Sequence, residues 1–168
     1  MSNQFNNQIS FLTANNDDLI QKTTISSINA YYILNLGGIK VNMQNTNINI
    51  VPDENNSLFL INQVGYYVVE TYFSFNTGTN VQENNIIVPY LNGEIINEAK
   101  IYYDIIGSSK TPLDFQVNYS FMVHCDYVDK NNLGLPSSIN TLQFKVANTK
   151  NTNDIILNNW AITIMKFN

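Results

Sequence analysis

His124, the only histidine of the chain, is followed directly by Cys125 and Asp126, so a base, a thiol and a carboxylate stand in one short run. Those are the groups of nucleophilic or metal-assisted chemistry. The run itself opposes such chemistry. Phe115–Cys125 has the composition of a strand, and adjacent strand side chains point to opposite faces, so Cys125 cannot take its base from His124. His124 and Asp126 share a face without a nucleophile nearby in sequence, and an ordinary strand-end contact between them is expected. One Cys and one His cannot close even a three-ligand zinc site. Asp17-Asp18 and Asp53-Glu54 lack the spacing of a calcium loop and suit solvated turns better. Glu94 and Glu98 fall in a hairpin-like stretch rather than standing as a positioned acid pair. No phosphate-binding loop, dinucleotide fingerprint or Gly-x-Ser-x-Gly elbow occurs. The expectation is a protein that is not an enzyme, with no catalytic residue, no metal and no cofactor.

Tyrosine offers a different chemistry. Exposed Tyr rings beside Asn amides are the materials of a sugar site, and Tyr102, Tyr103, Tyr119 and Tyr127 all stand close to expected loops. The alternative is that Tyr is simply a good strand residue.

The charge balance narrows the partners. The 168 residues include 13 acidic and 8 basic side chains, for a net charge of −5, and every basic residue is Lys. A chain without the bidentate guanidinium and with a negative balance is poorly equipped to neutralise phosphates, so nucleic acid and anionic membrane are not expected partners. Charged residues make up only 12% of the chain, about half the usual share, so the surface must be rich in Asn and Thr. Cys125 has no second cysteine to pair with inside the chain. Residues 1–12 show no basic segment followed by an apolar one, and no apolar run approaches the roughly 20 residues of a membrane span. The expected location is an extracellular surface, that of a spore coat, cell or particle, reached without a visible classical signal.

Residues 1–28 are polar and irregular, an N-terminal arm or extra strand, in which Asp17–Lys22 could form one helical turn. From there to residue 168 short β-branched and aromatic runs recur between turn residues. Strands are expected at Tyr31–Leu36, Ile39–Met43, Asn47–Val51, Ser57–Ile61, Tyr66–Phe75, Ile86–Leu91, Ile95–Tyr103, Phe115–Cys125 and Thr141–Ala147, and at Ile155 with Trp160–Phe167. About ten strands without helical periodicity point to an all-β, antiparallel two-sheet jelly-roll sandwich. Asn92-Gly93 marks a type I′ hairpin, and Pro89 just before it places its missing donor outward or at a bulge.

The run Gly65–Phe75 carries the most functional information. Tyr67, Val69, Thr71, Phe73 and Phe75 share one face, an ordinary core face, and Tyr66, Val68, Glu70, Tyr72 and Ser74 share the other. Large rings on the second face call for a cover, which is either a segment of the same chain or another copy of it. Trp160–Phe167 repeats the pattern, with Trp160, Ile162 and Ile164 on one side and Ala161, Met165 and Phe167 on the other. Tyr and Trp suit an interface because each joins a large area to one polar group.

Leu58-Phe59-Leu60-Ile61, then Gly65-Tyr66-Tyr67 with its long apolar strand, then Val88-Pro89-Tyr90-Leu91-Asn92-Gly93, resembles the jelly roll of complement-q globular heads and tumour-necrosis-factor-like domains. The nearest likeness is to the C-terminal domains of bacterial collagen-like spore-surface (exosporium) glycoproteins, which end in an apolar strand with a lone Lys, here Ile162–Phe167. The resemblance spans about residues 31–168. It implies a homotrimer packed through strand faces near a three-fold axis, with Tyr66, Val68 and Tyr72 directed there and Trp160 joining the interface. Its partners would be further copies of itself, surface glycans or other coat proteins. No Gly-X-Y repeat precedes the domain, the segments 107–118 and 129–138 are longer than the pattern needs, and Glu70 falls among the axis-facing residues. The function implied is a non-catalytic surface module for assembly and adhesion, such as a spore-coat head. The alternative is a glycan- or receptor-binding tip of a phage or cell-surface protein.

Overall fold

The computed structural model describes residues 11–16, 20–44, 50–76, 82–106, 114–127 and 139–167. Among these residues thirteen strands form two antiparallel sheets. The first sheet has the order β11 (Asp114–Cys125), β7 (Gly65–Asn76), β13 (Ile155–Phe167), β1 (Phe11–Asn16), β4 (Ile39–Gln44), and β2 (Gln21–Thr23) also pairs with β13. The second runs β10 (Ile101–Ile106), β8 (Gln82–Leu91), β12 (Asn140–Asn148), β6 (Leu58–Ile61), β5 (Ile50–Asp53). Here β3 (Tyr32–Ile33) pairs with β12 and β9 (Glu94–Ile95) with β8. This is the expected all-β jelly-roll sandwich.

Alternation places the core between the sheets. Tyr67, Val69, Phe73 and Phe75 of β7 face inward with Trp160, Ile162 and Ile164 of β13, against Phe59, Ile87, Leu142, Phe144 and Val146 of the second sheet. Phe73 meets Phe144 edge-on at 5.4 Å, which ties one sheet to the other. The pairing of β13 with β7 shifts between Leu157 and Asn159. One extra residue there lets Asn158 and Asn159 both escape burial and returns Trp160 to the core side, the ordinary effect of a bulge on strand parity.

The hairpin is as expected. Asn92 (φ 54°) and Gly93 (φ 85°) both occupy the positive-φ region, and Leu91 pairs with Glu94 across the turn. Asn92 also fastens the turn to β12, its side-chain oxygen accepting the Thr141 N–H at 2.9 Å. The Pro89 carbonyl accepts from the Ile96 N–H at 3.0 Å. Nitrogen and carbonyl of one extended residue point the same way, so the missing donor falls where β9 gives way to β10.

Two strand bounds and one helical turn need correction. The strand expected at Ile95–Tyr103 is two strands split by a 3-10 turn at Asn97–Ala99. Tyr31–Leu36 shortens to the two residues of β3. In the first 28 residues, Phe11–Asn16 is an interior strand of the first sheet between β13 and β4, with Leu12 and Ala14 fully buried. Where a helical turn was expected, Gln21–Thr23 is strand. Asp17-Asp18 and the segments 107–113 and 129–138 lie outside the described residues. No described helix is long and apolar enough to cross a membrane.

Candidate functional site

The outer face of the first sheet is a grid fixed by strand register. Its end row is His124 on β11, Tyr66 on β7 and Phe167 on β13. The next is Met122, Val68 and Met165, followed by Ser120, Glu70 and Thr163, and then by Asn118, Tyr72 and Ala161. The last row is Gln116, Ser74 and Asn159. The face is therefore divided, with two largely apolar rows at one end and mixed or polar rows over the rest.

The apolar end is open to solvent: Tyr66 is 53% exposed, Met122 57% and Phe167 64%. The His124 ring stacks on Tyr66 with centroids 4.4 Å apart and planes 27° from parallel. This corrects the expected His124–Asp126 contact. Asp126 instead accepts the Tyr127 N–H at 2.7 Å.

Tyr66, Val68 and Tyr72 stand on this face as alternation requires, and Trp160 does not. Trp160 is completely buried, and its indole N–H donates to the Leu36 carbonyl at 2.9 Å. An interface contact through its ring is ruled out by orientation; the ring belongs to the core. Sequence reasoning placed Trp160 correctly with Ile162 and Ile164 but weighted the residue type above the face. It overlooked Met122 altogether. The signal was present: alternation along β11 puts Gln116, Asn118, Ser120, Met122 and His124 on one side, and that side turns apolar only at its end.

The four candidate ligand tyrosines separate. Tyr103 is 5% exposed and lies between Phe75 and Phe115, stacked at 5.3 and 5.2 Å. Tyr119 turns inward against Phe73 and Phe121. Burial raises the phenol pKa of both. Both are corrected to packing residues. Tyr102 and Tyr127 remain exposed, at 68% and 62%, Tyr102 on β10 of the second sheet and Tyr127 two residues past the end of β11 in the first.

Cys125 is fully buried, and burial pushes its thiol up to about 12. The thiolate is the nucleophile, so this side chain is held in its inert form. A folded sample at pH 8 is expected to leave Cys125 unlabelled by a thiol-disulfide reagent, with stoichiometric labelling only in denaturant. Rapid labelling of the native protein would put the thiol at the surface. The same shift acts on stability. The unfolded thiol begins to ionise near pH 9 and the folded one near 12, so the stability present below pH 9 declines between them. Among the described residues no group of three His, Cys, Asp or Glu side chains is placed to hold a metal ion.

No protein-family model matches the sequence, and no curated protein matches it. Solved structures do. Murine APRIL, crystallised at pH 8.0 and at pH 8.5, aligns with 95% of this chain and 100% of its own, with TM-scores of 0.53 and 0.54 at 9% and 8% identity. The PRD1 vertex protein P5 aligns with 95% of this chain and 97% of its own, with a TM-score of 0.51 at 16% identity. The chain has a TNF-like jelly-roll fold.

Proposed function

We propose that the chain is a non-catalytic surface module that packs as a homotrimer through the outer face of its first sheet, with assembly and adhesion as its work. The observation that carries this reading is the apolar end of that face. Tyr66, Val68, Met122, Met165 and Phe167 are contiguous across β11, β7 and β13, and three of them are more than half exposed. Taking such a side chain out of water is favourable by about 1.5–3 kcal/mol. A patch of this kind, edged by polar rows, is the usual form of an interaction surface. Further copies suit it because rotation about a closed axis brings this end of the face from every subunit together without a partner evolved elsewhere. The family resemblance adds the three-fold arrangement and suggests a spore-coat or exosporium head as the setting. That one fold neighbour is a vertex protein supports a structural use of the fold. Glu70, at the inner border of the patch, would remain hydrated in the trimer; three desolvated carboxylates would repel.

Light scattering on the purified chain tests the proposal. The expected mass is close to three times 19.1 kDa at micromolar concentration. A mass of 19.1 kDa that persists into the millimolar range would remove the homotrimer and with it the interface role of Tyr66, Val68 and Tyr72.

A further inference from the structure

The outer face of the second sheet is not a plain solvated face. Ile86, Val88 and Ala147 are buried there although alternation turns them away from the core. The stretch before β3 folds over them: the Asn29 N–H donates to the Asn148 carbonyl at 2.9 Å, and the Tyr31 ring meets the Tyr90 ring edge-on at 6.1 Å. Two ammonium groups stand on these rings. Lys145 Nζ is 4.0 Å from the Tyr90 centroid, and Lys100 Nζ is 5.7 Å from that of Tyr31. Tyr102, next but one to Lys100, projects from edge strand β10 on the same face and is 68% exposed. The Lys100 charge is supported chiefly by a side-chain hydrogen bond with Tyr31 and, to a smaller degree, by Tyr102.

The charge pattern is unusual for this chain. Acids outnumber bases 13 to 8, yet among the described residues neither Lys100 nor Lys145 makes an ion pair; the one described ion pair joins Lys22 to Asp154. The nearest acid on the same face of β10, Asp104, is held by the Asn84 amide at 2.6 Å. Two cations are thus fixed by aromatic faces, which orient them without neutralising them. They form a positive island beside an open Tyr ring on a negative protein.

We propose that Tyr102, Lys100 and Lys145 form a binding site for an acidic carbohydrate, a glycan chain bearing sugar carboxylates. The Tyr102 ring supplies a flat apolar platform for the C–H face of a pyranose, and the two ammonium groups meet carboxylates on neighbouring sugars. Without Arg the site offers only the point charges of Lys, which meet carboxylate and phosphate alike, so the vesicle arm of the experiment separates the two. The site lies on the opposite sheet from the association face, so the two proposals stand or fall separately.

Affinity electrophoresis through gels containing polygalacturonate, hyaluronate or polysialate, with methyl-esterified polygalacturonate as the uncharged control, tests the site. The wild-type protein carries a net charge of −5, so nonspecific attraction to a polyanion is weak and retardation is informative. At least one acidic polymer is expected to retard the protein while the ester does not. Tyr102→Ala and the pair Lys100→Gln with Lys145→Gln are each expected to weaken binding about tenfold, with the solution mass unchanged. The proposal is overturned if none of the three polymers retards the protein, if the ester retards it equally, or if the variants bind as the wild type does. Binding to phosphatidylglycerol vesicles with none to the polymers overturns it too.

Discussion

Trp160→Ala is expected to unfold much of the protein under conditions where the wild type is native. The ring is completely buried between the sheets, and truncating a buried Trp costs about 3–5 kcal/mol. Loss of the indole donor to the Leu36 carbonyl adds about 1 kcal/mol. Domains of this size are stable by only about 5–15 kcal/mol, so the urea midpoint should fall by roughly a quarter or more. Trp160→Phe keeps most of the volume and loses only the hydrogen bond, and a drop of about 1–2 kcal/mol is expected. This pair of variants separates the two roles that a Trp on β13 could have. If the Ala variant kept the wild-type midpoint and lost only its self-association, the ring would belong to an interface and the orientation described above would be wrong.

That case shows what the sequence could and could not reveal. The strong alternation of Gly65–Phe75 assigned both faces of β7 correctly, because a long half-buried strand repeats its period often enough to be read. Asn92-Gly93 was legible for a different reason: both positions need positive φ, and those two residues adopt it at least cost. That residues 1–28 could hold an extra strand was legible, but the interior position of β1 was not. Only Leu12 and Ala14 show its buried side, among Asn residues that resemble a loop, and its place is set by β13 and β4, which lie far along the chain. The break at Asn97–Ala99 was hidden because Ile95, Ile96 and Ile101 look like one continuous strand and no Gly or Pro interrupts them.

The functional faces divide the same way. Tyr66, Val68 and Tyr72 followed from one strand's parity. The apolar rows needed cross-strand register, since Met122, Val68 and Met165 are neighbours only once β11 and β13 are laid on either side of β7. The cluster of Lys100 and Lys145 on Tyr31 and Tyr90 joins residues from four separate segments, and no periodicity within one of them announces it.

Met122→Lys is expected to dissociate the proposed trimer while leaving the folded chain intact. In a single chain Met122 is 57% exposed on the outer face of β11, so a Lys there keeps its charge in water and should shift stability by no more than about 0.5 kcal/mol. In the proposed trimer the same side chain, beside Val68 in the register of β11 and β7, would fall within the dry rows. Three ammonium groups would then be brought together and desolvated at the most apolar part of the contact. That penalty amounts to several kcal/mol for each ion, more than the roughly 1.5–3 kcal/mol that each large apolar side chain contributes. The mass at micromolar concentration should fall from three chains to 19.1 kDa, with an unchanged urea transition for the dissociated chain. Gln116→Lys adds the same charge to the same strand and face, but in the polar row farthest from the patch, and should leave the mass near that of the wild type. Equal loss of association in both variants would mean that net charge governs assembly. Loss in neither would mean that the copies meet elsewhere, and the exposed rings of Tyr66 and Phe167 would then belong to a different partner. Loss in Met122→Lys alone places the contact on the two apolar rows, where the register of β11, β7 and β13 concentrates the side chains that gain most from leaving water.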